Sequence, residues 1–383
     1  MALIYNQINE GPQTHVIIIG VGGYRYLSGG IEEKEQNYEN IGLLRQLSSP
    51  PKSALAFRDH LLEIESDVQK DFVKPLGSIE LLISPSPDDP SPGNSGEQFE
   101  AANFANISRA YNDWKQRCDD NKDNVAIFFF SGHGVEKKDH YLLAEDFGAN
   151  INNPWLMGSF SFNKTRSAFH SCNASTQCFF IDSCRKINSQ MLQRDLPDIP
   201  LDVPLLTTPD CKHDLTMKAA AHNEAAYGPK KKPSFFTQSI IKALQGYAAD
   251  KRGAEWVVNT GDIATQIHNI LRTIKSTEGY KQRCIYSASE PSSLITFRKA
   301  PPAHLSVACD PAEATNVSKL ICTALEGGTE FTEEPKSDFW KLDMTAGIYK
   351  LQTESQSEEF SNGETYALVR AIANEKINCS RNE

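Results

Sequence analysis

Two residues of this chain could do chemistry as a pair. His133 follows the run Val125-Ala126-Ile127-Phe128-Phe129-Phe130-Ser131-Gly132, and Cys184 follows Gln177-Cys178-Phe179-Phe180-Ile181-Asp182-Ser183, 51 positions further on. Both runs are apolar almost without interruption, as strands buried on both faces of a parallel sheet are. The carboxyl ends of such strands lie on one edge, where α/β proteins place their sites. If the two strands are neighbours, a thiol and an imidazole project into one crevice. A thiol is a weak nucleophile until it ionises, and an adjacent imidazole can take its proton. The same imidazole can return a proton to a leaving amine, a contribution of about 10² to 10⁴ in rate. Backbone N–H groups complete such a site by holding the oxyanion, and those of Gly134 and Cys184 are the candidate donors. Glycines on both sides of His133 leave its backbone open to a ligand.

The surrounding pattern supplies the elements that must position this pair. Apolar runs at 15–21, 79–84, 125–130 and 177–182 read as strands, with weaker ones at 215–221 and 283–288. Helical stretches alternate with them at 51–66, 97–118, about 163–175, 234–248 and 260–275. The segment Ser84-Pro85-Ser86-Pro87-Asp88-Asp89-Pro90-Ser91-Pro92 must be an exposed loop. This alternation predicts an α/β layered domain on a mainly parallel, six-stranded sheet over residues 1–298. Beyond Lys299-Ala300-Pro301-Pro302 the period shortens to alternating segments such as Leu305/Val307/Cys309 and Trp340/Leu342/Met344, split by turn signals. Residues 299–383 therefore read as a small antiparallel β-sandwich domain.

A strand ending in Ser131-Gly132-His133-Gly134, followed 51 residues later by a strand ending in Asp182-Ser183-Cys184, resembles the caspase-like cysteine peptidases, whose histidine stands about 50 residues upstream of the cysteine. The Asp-Ser-Cys triplet is closer to the metacaspase and bacterial branch than to animal caspases. Lys137-Asp139-His140-Tyr141-Leu142-Leu143 resembles the hairpin after the family's histidine, and Ser234-Phe235-Phe236-Thr237-Gln238-Ser239 the start of its small-subunit helix. The likeness covers roughly residues 13–298. It implies a three-layer caspase-like domain with a large-subunit-like part (1–190), a linker (185–215) and a small-subunit-like part (215–298). It further implies that Cys184 is the nucleophile and His133 the general base of a peptide-bond hydrolase acting on protein substrates, with no metal or organic cofactor in the chemistry. In this family the linker is often self-cleaved, and here it carries Arg194 and Lys212.

The resemblance also bears on specificity. The glutamine that animal caspases keep two places before their cysteine is Asp182 here. Their serine–aromatic–arginine falls on Ala226-Tyr227-Gly228, so the arginine that attracts aspartate is gone. Asp182, Ala226 and Tyr227 are then substrate-binding positions, and a carboxylate in that pocket favours a cation. The expectation is cleavage after Arg or Lys. Two departures stand against it: Lys52-Ser53 occupy the place of the metacaspases' second pocket aspartate, and Arg45 lies near the animal family's pocket arginine.

The remaining features read more plainly. A formal charge of −10 excludes the basic footprint of a nucleic-acid binder, and no apolar run is long enough for a membrane span. Nine scattered cysteines without a Cys-x-x-Cys pair point to a reduced, cytosolic chain with no zinc site. Gly20-Val21-Gly22-Gly23 lacks the third glycine of a dinucleotide fingerprint and reads as a turn. Asp88-Asp89 would be the place for the calcium activation some metacaspases show, but its spacing is that of a solvated acidic loop. His140 and His222 are further candidates for the cleft. The C-terminal domain reads as a docking or regulatory unit for an activating partner protein. The alternative to an enzyme is a catalytically silent caspase-like scaffold.

Overall fold

The structure, a computed structural model, describes residues 1–35, 44–185, 199–203, 211–222, 224–275 and 282–382. Seven strands form the central sheet: β1 (Leu3–Asn6), β2 (Thr14–Val21), β3 (Leu76–Ser84), β4 (Val125–Gly132), β5 (Thr176–Ser183), β6 (His213–Lys218) and β7 (Ile285–Ala288). Their order is β1-β3-β2-β4-β5-β6-β7. The five inner strands are mutually parallel, and the edge strands β1 and β7 are antiparallel to their neighbours. The sequence pattern predicted six strands. The seventh, β1, has only four residues of alternating exposure, too short to show a period.

Side-chain alternation sorts each inner strand between two cores. From β2, Val16 and Ile18 enter one apolar cluster and Ile17, Ile19 and Val21 the other. β4 and β5 divide likewise, Phe129 and Phe180 on the first face, Phe128, Phe130 and Phe179 on the second. Helix α1 (Ser49–Ser66) covers the first face. Pro50 and Pro51 suit its opening turn, because their missing N–H groups have no helical acceptor there. It stacks Phe57 on Phe129 with ring centroids 4.6 Å apart. The short helix α4 (Phe235–Lys242) and α5 (Thr260–Lys275) lie on the same side. Helices α2 (Phe104–Asp119) and α3 (Phe162–Phe169) cover the second face, where Trp114 stacks on Phe169 at 4.5 Å.

Three helical expectations need trimming. α2 begins at Phe104, not at residue 97, because Asn103 caps it by accepting from the Asn106 N–H. The residues before it are extended, with Glu100 bridged to Leu82. α3 stops at Phe169, and turns carry the chain into β5. α4 passes into a π turn over Ala243–Tyr247, in which Gly246 has φ +111° and a Cβ would strike Pro301 at 2.3 Å. A further four-stranded sheet, Ala249–Arg252, Glu255–Asn259, Ser293–Phe297 and Lys70–Phe72, was not foreseen.

Residues beyond 298 form strands β8 (Pro302–Asp310), β9 (Ser318–Ala324), β10 (Glu330–Glu333), β11 (Trp340–Thr345), β12 (Gly347–Ser355), β13 (Glu364–Val369) and β14 (Ile372–Asn378). They make a three-stranded sheet, β11-β8-β14, and a four-stranded sheet, β10-β9-β12-β13. All pairings are antiparallel except β8 with β14, a departure from the expected pattern. Along the chain β9 and β10 lie in the second sheet, β11 in the first, β12 and β13 again in the second, and β14 returns to lie parallel beside β8. Leu305, Val307 and Trp340 belong to the same apolar cluster as Phe297, Ala248 and the α1 face of the central sheet. A hydrogen bond of 2.7 Å joins the Tyr247 hydroxyl to His304 Nε2 across this junction.

Candidate active site

β4 and β5 are adjacent and in register, Ser131 opposite Asp182 and Gly132 opposite Ser183. His133 and Cys184 are thus the next residues on neighbouring strand ends, about 4.8 Å of strand spacing apart. Both leave the sheet at its carboxyl edge. Gly134 is held to glycine by this closeness: a Cβ there would lie 2.5 Å from Ser183 Oγ and 2.7 Å from the Cys184 carbonyl oxygen. It opens the strand Gly134–Glu136, which pairs with His140–Leu143. The Leu143 N–H donates to the His133 carbonyl. By antiparallel alternation the Gly134–Leu142 pair is then a non-hydrogen-bonded one, so the Gly134 N–H points away from the hairpin ladder.

His133 is held on three sides. Its backbone N–H donates to the Tyr24 hydroxyl at 2.7 Å. Its ring lies 4.8 Å from the ring of Tyr24, which is fully buried at the turn after β2. Its Nε2 lies 2.7 Å from the Arg45 carbonyl oxygen. A carbonyl only accepts, so this contact puts the proton on Nε2 and leaves Nδ1 as the basic nitrogen. Burial lowers the His133 pKa to about 4, with the Arg45 carbonyl opposing that shift. The imidazole is therefore neutral near pH 7 and able to accept a proton. Burial likewise pushes the Tyr24 phenol well up, so it stays protonated.

The Cys184 thiol is half-buried and faces the backbone of Ala226, whose N–H lies 3.3 Å from Sγ. Tyr227 follows, its carbonyl accepting from the Phe235 N–H at the start of α4. Two of the three expected substrate-binding positions therefore run beside the thiol. Behind it, His140 is fully buried, with Nε2 at 3.1 Å from Ser183 Oγ and 3.3 Å from the Cys184 carbonyl. Arg185, the next residue, is buried in an ion pair with Glu136. His222 Nδ1 reaches the other Glu136 oxygen at 2.8 Å. These contacts place His140 and His222 as supports of the loop carrying Cys184.

Asp182 shows what the sequence could not. Alternation along β5 turns its side chain to the α1/α4 face, where it is 4% exposed. Its carboxylate accepts from the hydroxyls of Ser131 (3.0 Å), Ser234 (2.6 Å) and Thr237 (2.9 Å). Ser53 adds another hydroxyl contact, and burial still raises the Asp182 pKa against these bonds. Ser234 is also the N-cap of α4, accepting from the Thr237 N–H. The carboxylate thus anchors the N-termini of two helices to the strand that ends at Cys184. Of the two departures noted above, Lys52 turns to Asp89 (3.4 Å) and the Pro92 carbonyl, while Ser53 faces this cage. Arg45 directs its side chain to Ser28 and its carbonyl to His133.

Sequence reasoning missed Tyr24, the Arg45 carbonyl and the four hydroxyls. Tyr24 follows a glycine pair and the Arg45 oxygen is main chain, so neither has a motif; Ser131, Ser234 and Thr237 stand inside the caspase-like motifs, but nothing in the sequence points their hydroxyls at Asp182. The turn reading of Gly20–Gly23 is too long: Gly20 and Val21 end β2, and only Gly22 and Gly23 lie beyond it, their N–H groups both donating to the Ser84 carbonyl. Arg194 lies outside the described residues, and Lys212 is exposed. Among the described residues no group of three or more His, Cys, Asp or Glu side chains is placed to hold a metal ion. No helix among them is long and apolar enough to cross a membrane.

With this geometry in hand, comparison with known proteins is informative. A family model described as a caspase domain matches residues 68–295, more than half of the chain. An uncharacterized protein of Sinorhizobium fredii, y4kE, is 29% identical over 178 residues, which is 45% of this chain and 50% of that protein. The chain thus spans about half the length of the curated relative it matches. Among solved structures, caspase-1 from Spodoptera frugiperda superposes with a TM-score of 0.41 at 10% identity, over 74% of this chain and 89% of that one.

Proposed function

This chain belongs to the caspase-domain family of cysteine peptidases, and from that premise we propose that it is an endopeptidase working through Cys184 and His133, cleaving after Arg or Lys. The observation that carries the reading is the β4–β5 register, which sets the two residues side by side at one sheet edge. His133 Nδ1 takes the thiol proton while Nε2 stays bonded to the Arg45 carbonyl. The sulfur attacks the scissile carbonyl carbon, and the N–H groups of Gly134 and Cys184 receive the developing oxyanion. As the C–N bond breaks, Nδ1–H protonates the leaving amine, and an acyl-enzyme remains. Water, deprotonated by the same nitrogen, then releases the acid and restores the thiol.

Specificity follows from Asp182. A guanidinium or ammonium brought beside this hydroxyl-ringed carboxylate would favour the charged form that burial disfavours, and an acidic side chain there would be repelled. The backbone of Ala226 and Tyr227 lines the path of the acyl-side residues. No metal or organic cofactor enters these steps. We further propose that residues 299–383 are an accessory unit for a partner protein that activates the enzyme within a regulated, cytosolic defence or cell-death circuit.

Fluorogenic peptides with Arg, Lys, Gln or Asp at the cleaved position, otherwise identical, test this. We expect Arg and Lys to lead Asp by roughly 100-fold in kcat/KM, the scale of a partly desolvated charge contact. Asp182→Asn should erase most of that margin. A preference for Asp would overturn the specificity, and turnover no faster than that of Cys184→Ala would favour the silent scaffold.

A further inference from the structure

We propose that a cavity on the far side of His133 is a subsite for a large apolar side chain on the leaving-group half of the substrate. The proposal rests on the endopeptidase reading above. The cavity measures about 240 Å³ and opens at the carboxyl ends of β2 and β3, outside the Cys184 crevice. Two of its wall residues connect directly to the base. Tyr24 carries the hydroxyl that accepts from the His133 N–H, and Gln46 follows the Arg45 whose carbonyl holds Nε2.

Sheet order fixes which half of a peptide would reach it. Along the carboxyl edge come the tips of β3 and β2 with the cavity, then His133 after β4, Cys184 after β5, and the Ala226 segment after β6. A scissile carbonyl attacked by Cys184 sends its acyl side toward Ala226. The leaving amine must lie at His133 to be protonated, so the residues beyond it continue toward β2. One strand spacing of about 4.8 Å is roughly one and a half extended residues. The first or second residue after the cleaved bond therefore meets the cavity.

Size and lining set the side chain. The volume is below the roughly 300–1,000 Å³ of sites for drug-sized ligands and cofactors. It suits one bulky side chain. Ile83, Pro85 and Phe99 form apolar wall. Among the described residues of the lining the one carboxylate, Glu145, is already engaged, with Oε2 accepting from Ser84 Oγ at 2.7 Å and Oε1 facing Arg25 at 3.6 Å. A hydrocarbon or aromatic side chain gains from displacing water here, and an acid or amide gains little.

Internally quenched peptides with Arg at the cleaved position and Phe, Leu, Gly or Asp at each of the next three positions test this on the full-length protein. A short aminocoumarin amide of Arg, which has no leaving-side residue, serves as reference. We expect Phe or Leu at one of the first two positions to raise kcat/KM about tenfold over Gly. Ala101→Leu, which fills the cavity from its wall, should shrink that ratio toward one. If the short amide is cleaved but no leaving-side position discriminates, the subsite is overturned and the endopeptidase stands. If neither substrate is cleaved above the Cys184→Ala background, both fall.

Discussion

A histidine in water titrates near 6.5, and His133 does not. Burial lowers its pKa to about 4. A base must be neutral to accept a proton, so the acid limb of kcat/KM should fall near pH 4 and not near 6.5; a profile on the Arg substrate checks this. The Tyr24 hydroxyl matters for the same residue in another way. Tyr24→Phe strands the His133 N–H, a loss of about 1–3 kcal/mol when a buried partner is removed. On the short arginyl amide, which has no leaving-side residue to reach the Tyr24 wall, kcat should drop with KM little changed, because the bond orients the base; a change confined to KM would contradict the assignment. Cys184 and His133 were legible because their residue types are rare and both end apolar runs. Tyr24 and the Arg45 carbonyl were not, since a backbone oxygen has no residue type and the tyrosine is brought in from a turn 109 positions away.

At the scale of elements, the site depends on how strands and helix ends meet. Ser234 caps α4 and donates to Asp182 in one gesture. Ser234→Ala should cost about 1–2 kcal/mol in urea unfolding, the cap together with one bond to the buried carboxylate. It should also weaken discrimination for Arg over Gln; unaltered selectivity would separate the cage from specificity. Gly134→Ala should abolish activity in a folded protein, because the added carbon meets Ser183 Oγ and the Cys184 carbonyl, which cannot both move aside. The parallel core of the sheet was readable because strands buried on both faces are apolar throughout. β1 and the four-stranded sheet of 70–72, 249–252, 255–259 and 293–297 were hidden because their strands are only three to five residues long and their pairing is set by distant chain. The Asp182 cage was hidden too: alternation gives the face, but only packing brings α1 and α4 to it.

At the scale of the molecule, one apolar cluster runs from α1 into the C-terminal sheets. Removing residues 299–383 would take Pro301 from against Gly246 and expose the surfaces around Phe297 and Ala248, so the truncated protein should unfold at lower temperature or precipitate. Calorimetry of the two lengths checks this; an unchanged transition would mean independent units. The pH dependence of stability is also a whole-molecule property. Burial lowers the pKa of His15 to about 4, below its unfolded value. The unfolded chain therefore binds more protons between about pH 4 and 6.5, and stability complete above that window is lost as pH falls through it. His15→Gln should flatten the fall in urea midpoint between those limits. All of this presupposes that Cys184 is the nucleophile, and the most direct measurement is mass spectrometry of the full-length protein after exposure to an arginyl chloromethyl ketone. The account predicts one adduct, on Cys184, its formation slowed at least tenfold by His133→Ala; labelling spread over other cysteines, or unaffected by that change, would contradict it.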